Sequence, residues 1–165
     1  VEFRDITSDL SLSYRLVPMG HVITWIHNHQ KIYGINKNEL KKMVQFVFDE
    51  IMPLFPSCEV SVSLVGVREM ARLNQQFLHH SGATDVISFK YWQKNSKPKD
   101  IFSELIICPK VAKEQSKIYN NTFRQEILTY VVHGLLHAMG YDDYNVSTRK
   151  KMWRCQNRIL KKFLA

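Results

Sequence analysis

Thr122-Phe-Arg-Gln-Glu-Ile-Leu-Thr-Tyr-Val-Val-His133-Gly-Leu-Leu-His137-Ala-Met-Gly140-Tyr-Asp-Asp143 is the stretch that decides how this chain folds. Thr122 with Gln125 three residues later has the form of a capping box, which opens a helix. Leu128, Val131, Val132, Leu135, Leu136 and Met139 then cover so wide an arc that the helix must be central and buried. Gly140 suits the left-handed residue that closes it. Inside this apolar run His133 and His137 stand at i and i+4, on one face of the helix, so both imidazoles can reach one ion.

Two buried polar rings need partners, and a metal ion would serve both at once. The competing reading is a chance pair that hydrogen-bonds within the core. Nitrogen donors suit zinc, nickel or copper better than magnesium. A catalytic zinc site keeps three protein ligands and one open position, and the turn after Gly140 can return Asp142 or Asp143 as the third. A metal-bound water at the open position is then the catalytic nucleophile of a hydrolase. Gly134 follows His133 where a metalloprotease HExxH motif has glutamate, so peptide hydrolysis by that route is disfavoured. Glu126 and Tyr130 fall on roughly the same face and could orient the ligands, although Glu126 also suits a helix's first turn.

Working outward, Val22 to Ile26 nearly alternates and reads as a strand, ended by His27-Asn28-His29-Gln30. Asn36 and Glu39 form a second capping box before Leu40, Met43, Val44, Val47 and Ile51 at helical spacing, which Pro53 and Pro56 end. Glu59 to Val65 alternates as a strand, and Met70, Leu73 and Phe77 recur as a helix. Thr84 to Tyr91 is a β-branched and aromatic strand, followed by a polar, lysine-rich loop from Gln93 to Asp100. Phe102 to Ile107 suits an inner strand, and Pro109 opens a helix through Tyr119. A last, strongly basic amphipathic helix starts near Ser147. The expected class is α+β, with α/β-like crossovers: a small mixed four-stranded sheet packed with about five helices around the histidine-bearing one. Residues 1–20 read as a poorly ordered extension and 21–165 as one catalytic domain.

The chain has 165 residues, 45% of them hydrophobic and 23% charged, which excludes a disordered class. Its net charge of +8 attracts polyanions, nucleic acid first. Cys58, Cys108 and Cys155 are odd in number and unpaired in spacing, so reduced thiols and a cytoplasmic location are expected. No run approaches the roughly 18 apolar residues of a membrane helix, and no export signal is read.

His133-Gly-x-Leu-His137-x-x-Gly140-Tyr141-Asp142 closely resembles the signature of the YbeY family of bacterial metal-dependent endoribonucleases. Thr84-Asp85-Val86-Ile87-Ser88-Phe89 is similar to that family's TDVLSF strand, with Leu73-Asn74 before it and Ser103-Glu104-Leu105-Ile106-Ile107 after it. Met152, Gln156, Ile159 and Leu160 extend the likeness into the last helix. The resemblance implies a single-strand-specific endoribonuclease acting in ribosomal RNA processing (16S rRNA 3′ end maturation) and ribosome quality control. It implies one zinc, or another divalent transition metal, held by His133, His137 and Asp143. Single-stranded RNA, ribosomal RNA and the ribosome are the implied partners; no membrane and no DNA are expected.

This sequence departs from that pattern twice. Asp143 stands where the family usually has a third histidine, an anionic donor that should make bound water less acidic and shift preference toward manganese or iron. Leu78 stands where the family usually has an arginine, whose charge would steady the phosphate in the transition state. His79, His80 or Arg124 are the residues that could support catalysis instead. If none does, the rival class is a ribosome or RNA assembly factor with a structural metal site.

Overall fold

The computed structural model describes residues 20–93, 95–97 and 100–165. The extension read over residues 1–20 therefore lies outside the described residues, Gly20 excepted. Among the described residues there are four strands, β1 (Val22–Asn28), β2 (Cys58–Leu64), β3 (Val86–Lys90) and β4 (Ile101–Ile107). Five helices accompany them: α1 (Lys37–Ile51), α2 (Val67–Leu78), α3 (Pro109–Ile118), α4 (Phe123–Ala138) and α5 (Val146–Leu164). The sheet order is β1-β2-β4-β3, with β1, β2 and β4 parallel and β3 antiparallel to β4. Parallel neighbours require a long crossover, which α1 supplies between β1 and β2, whereas the short link 91–100 lets β4 fold straight back along β3. The mixed α+β class expected from the sequence is the one observed.

Alternation divides the sheet into two faces. Val60, Val62 and Leu64 of β2 point with Leu105 and Ile107 of β4 into the main core, under α1, α4 and α5. Ile87 and Ile106 point the other way, where Met70 and Leu73 of α2 cover them. Phe102 belongs by parity to the second face, yet it packs in the main core against Phe48 and Phe55. A register shift explains this: Glu59 pairs with Ile101 and Val60 with Ser103, so β4 holds one extra residue and bulges.

Helix α4 touches β3, β4, α1, α3 and α5, and ten of its residues are buried. Its close approach to the sheet depends on Gly134, where an added Cβ would lie 2.9 Å from Leu105 Cδ2 and 3.2 Å from Val86 Cγ2. At the same point Ser88 Oγ donates to the Gly134 carbonyl at 2.8 Å, tying β3 to the helix between the two histidines.

Element ends shift from the sequence reading for local reasons. β1 continues through His27 and Asn28, which pair with Ser63 and Leu64, because an edge strand can carry polar side chains while its backbone stays paired. β3 begins at Val86, since Asp85 Oδ1 accepts from Val86 N at 2.8 Å and turns the chain just before it. The Thr122 capping box is complete. The one at Asn36 is half formed: Asn36 Oδ1 accepts from Glu39 N, but the Glu39 carboxylate turns to Arg124.

Candidate metal centre

The C-terminal end of α4 is closed by a complete Schellman motif. Gly140, at φ 91°, donates to the His137 carbonyl at 3.0 Å, and Tyr141 donates to the Leu136 carbonyl at 2.9 Å. The reversal brings the Tyr141 carbonyl onto His137 Nδ1, 3.1 Å away, and directs the following aspartates back toward the helix. His133 Nδ1 meets Gln156 Oε1 of α5 at 3.0 Å. Both Nδ1 atoms thus face oxygen atoms, which favours the tautomer protonated at Nδ1 and leaves each Nε2 with its lone pair.

Those two Nε2 atoms lie 3.0 Å apart, and Asp143 Oδ1 is 4.0 Å from that of His137. His133, His137 and Asp143 form a group whose ligand atoms all fall within 4.8 Å of one another. Opposed lone pairs repel unless a cation lies between them. Ligands about 2 Å from a tetrahedral zinc are separated by roughly 3.3 Å, so this spacing fits such an ion, with a small rotation of Asp143. The donor set and its geometry therefore suit a divalent transition metal. Burial, and then the neighbouring His133 ring, holds His137 below the usual imidazole range despite the opposing pull of Asp143, which favours the neutral, ligating form.

The two aspartates left open by spacing differ in placement. Asp142 Oδ1 accepts from Tyr144 N within the turn, whereas Asp143 joins the histidines. Arg149, in the first turn of α5, donates from Nε and from a terminal nitrogen to the Asp143 carbonyl, at 3.2 and 3.1 Å, and so fixes the backbone of that residue.

The orienting contacts differ from those proposed on sequence. Glu126 and Tyr130 make no hydrogen bond to either histidine; Glu126 Oε1 instead accepts from Asn121 Nδ2 at 2.6 Å. The groups that do orient the rings are Gln156 and the Tyr141 carbonyl. The missed signal was a glutamine standing beside the apolar stripe of Met152, Cys155 and Ile159, where a half-buried amide needs a partner. A carbonyl leaves no trace in side-chain type.

Of the residues suggested as catalytic support, Arg124 stands apart from the three-residue group. Arg124 lies about 13 Å along α4 from His133, at the opposite end, and its guanidinium is held by the Glu39 carboxylate. His79 caps α2 in the left-handed conformation and His80 follows it, both exposed, with no hydrogen bond to the three-residue group. Leu78 ends α2 with its side chain 44% exposed. Ser88 is used in the bond to Gly134, and Phe89 packs edge-on against Phe77 beside the second core. On α5, Arg158 and Lys162 are paired with Glu50, while Lys150, Arg154 and Lys161 are exposed.

A groove of about 810 Å³ runs from His133 along the side of α4, bounded by α3, α5 and the start of β3. It places His133 at one end of an open channel rather than in a sealed core.

Comparison with known proteins agrees with this arrangement. The sequence pattern of the family described as Endoribonuclease YbeY matches residues 25–164. An Endoribonuclease YbeY of Kineococcus radiotolerans is 35% identical over 80% of this chain and 79% of its own. One of Thermotoga petrophila is 36% identical over 77% and 82%. A solution structure of a Thermotoga maritima protein superposes with a TM-score of 0.61 at 30% identity, covering 86% of this chain and 89% of that one. With the match running from β1 to the end of α5 and so including the histidine helix, its closing turn and Asp143, the chain belongs to the YbeY endoribonuclease family.

Proposed function

We propose that this protein is a metal-dependent endoribonuclease that cuts single-stranded RNA, with ribosomal RNA and the ribosome as its targets. One observation carries the reading: each histidine has its Nδ1 committed to an oxygen, so two Nε2 lone pairs converge beside Asp143. A bound divalent metal supplies Lewis acidity there and lowers the pKa of water toward neutrality. His133, His137 and Asp143 hold the ion, and zinc suits the nitrogen donors while the carboxylate also admits manganese or iron. Gln156 and the Tyr141 carbonyl keep the imidazoles in the ligating tautomer, and Arg149 holds the backbone of the third ligand. Exposed Lys150, Arg154 and Lys161 on α5 neutralise the RNA backbone. The buried, free thiols of Cys58, Cys108 and Cys155 suit the reducing cytoplasm, where such a substrate is found.

Leu78 favours one second reading, an RNA assembly factor that binds but does not cut, because it leaves the end of α2 without a cation. Cleavage of a single-stranded RNA by wild type, His137→Ala and Leu78→Arg separates the two. The nuclease reading expects metal-dependent cutting by wild type that His137→Ala abolishes. Cutting no faster than His137→Ala would favour the assembly factor, and a gain in Leu78→Arg would locate the cause.

A further inference from the structure

The groove beside α4 has a chemistry that phosphate binding does not explain. Two carboxylates line it, Asp85 and Glu126, and no lysine or arginine does. Glu126 is itself buried, 4% exposed, and only its Oε1 has a protein donor, Asn121 Nδ2. One turn further along α4, on the same face, stands Tyr130, 5% exposed, whose hydroxyl has no hydrogen-bond partner. A buried hydroxyl without a partner is destabilising, so a ligand atom that satisfies it is a natural occupant. Trp153 and Tyr119, both largely exposed, present aromatic surface at the rim.

We infer that this groove is a guanine-selective base subsite, in which the Glu126 carboxylate accepts from guanine N1–H and N2–H and the Tyr130 hydroxyl donates to O6. This deepens the nuclease reading and rests on it: the base would belong to a nucleotide next to the phosphate held at the metal. Glu126 lies about 10 Å along the helix from His133, within reach of a neighbouring nucleotide. The pattern of one donor beside a bidentate acceptor is the complement of guanine's pairing edge. Uracil presents carbonyls on both sides of its single N–H, so one of them would face the carboxylate. Adenine and cytosine offer one amino group and no adjacent ring N–H. Unpaired bases are read by stacking and by contacts to this edge, which suits a single-stranded substrate. The two anions that favour a donor-rich base would repel a phosphate, so the RNA backbone stays outside the groove.

Fluorescence anisotropy with a short labelled oligouridylate, with and without one central guanosine, tests this in chelator, where no cutting occurs. Wild type should bind the guanosine oligomer about tenfold more tightly. Glu126→Gln should erase that preference, since its amide can present only one acceptor. Tyr130→Phe should reduce the preference while leaving the thermal midpoint unchanged or raised, because it removes an unpartnered polar group. Equal affinity for the two oligomers in wild type, or an undiminished preference in a folded Glu126→Gln, overturns the inference. If RNA is still cut when metal is restored, the nuclease reading survives that failure; if RNA is neither bound nor cut, both fall.

Discussion

The two ends of α4 carry polar side chains in opposite states. At the C-terminal end each histidine has one nitrogen fixed by an oxygen and the other left free beside its neighbour. At the N-terminal end, Arg124 is paired with Glu39 through two of its nitrogens. A group whose far atom is anchored and whose near atom is free is preorganised for a ligand. A cation already paired, like Arg124, is part of the scaffold. The difference therefore assigns metal ligation to the C-terminal end of the helix and an anchoring role to Arg124 in its first turn.

Breaking the C-terminal arrangement should have the largest effect. His137→Ala removes a ligand and should lower RNA cleavage by at least about 100-fold, more than the loss typical of an orienting partner; a single-turnover assay checks it. Gln156→Ala keeps all three ligands but frees the His133 ring, and should weaken metal affinity by about 10- to 100-fold in a competitive chelator titration. Unchanged affinity would mean that the α5 contact is incidental.

Gly134→Ala probes the helix–sheet approach that holds both histidines. Crowding against Leu105 and Val86 costs about 1–3 kcal/mol, offset by about 1 kcal/mol of helix propensity. A net loss of about 1 kcal/mol in denaturant unfolding is expected. Greater stability in the variant would show that the close approach tolerates a methyl group.

Acidity sharpens the same comparison. The folded state holds the His137 proton less readily than the unfolded chain does, chiefly through burial. The unfolded state therefore takes up more protons as pH falls. This contribution is present in full above the ordinary imidazole value near 6.5 and is lost as pH falls toward the depressed folded value. The metal-free protein should lose stability as pH falls below about 7, and His137→Ala should show a flatter profile.

The smallest effect belongs to Arg124→Ala. Loss of an exposed pair with Glu39 should change stability by less than about 1 kcal/mol and leave cleavage almost unaltered. A large loss of cleavage would instead place Arg124 in the catalytic machinery.

What could be read from the sequence was what periodicity and caps control. The wide apolar arc of α4, its Thr122 capping box and the Gly140 turn predicted a buried helix with two histidines on one face, and all of these are present. The β4 bulge was invisible, because Phe102 reads as an ordinary strand residue and only its pairing with β2 reveals the extra position. Glu39 misled as a capping-box partner, since its alternative, Arg124, is distant in sequence and meets it only after α1 and α4 pack. Proximity along one helix face made Glu126 and Tyr130 look like orienting groups, but neighbouring elements supply those contacts: α5 through Gln156, and the backbone of the closing turn.

Metal titration of the purified protein tests the central claim most directly, with elemental analysis for stoichiometry and His133→Ala and His137→Ala as controls. One divalent transition metal per chain, with affinity lost in both variants while both remain folded, is the predicted result. A wild type that binds no metal, or variants that bind it as tightly as wild type, would contradict the assignment of His133, His137 and Asp143 as its ligands.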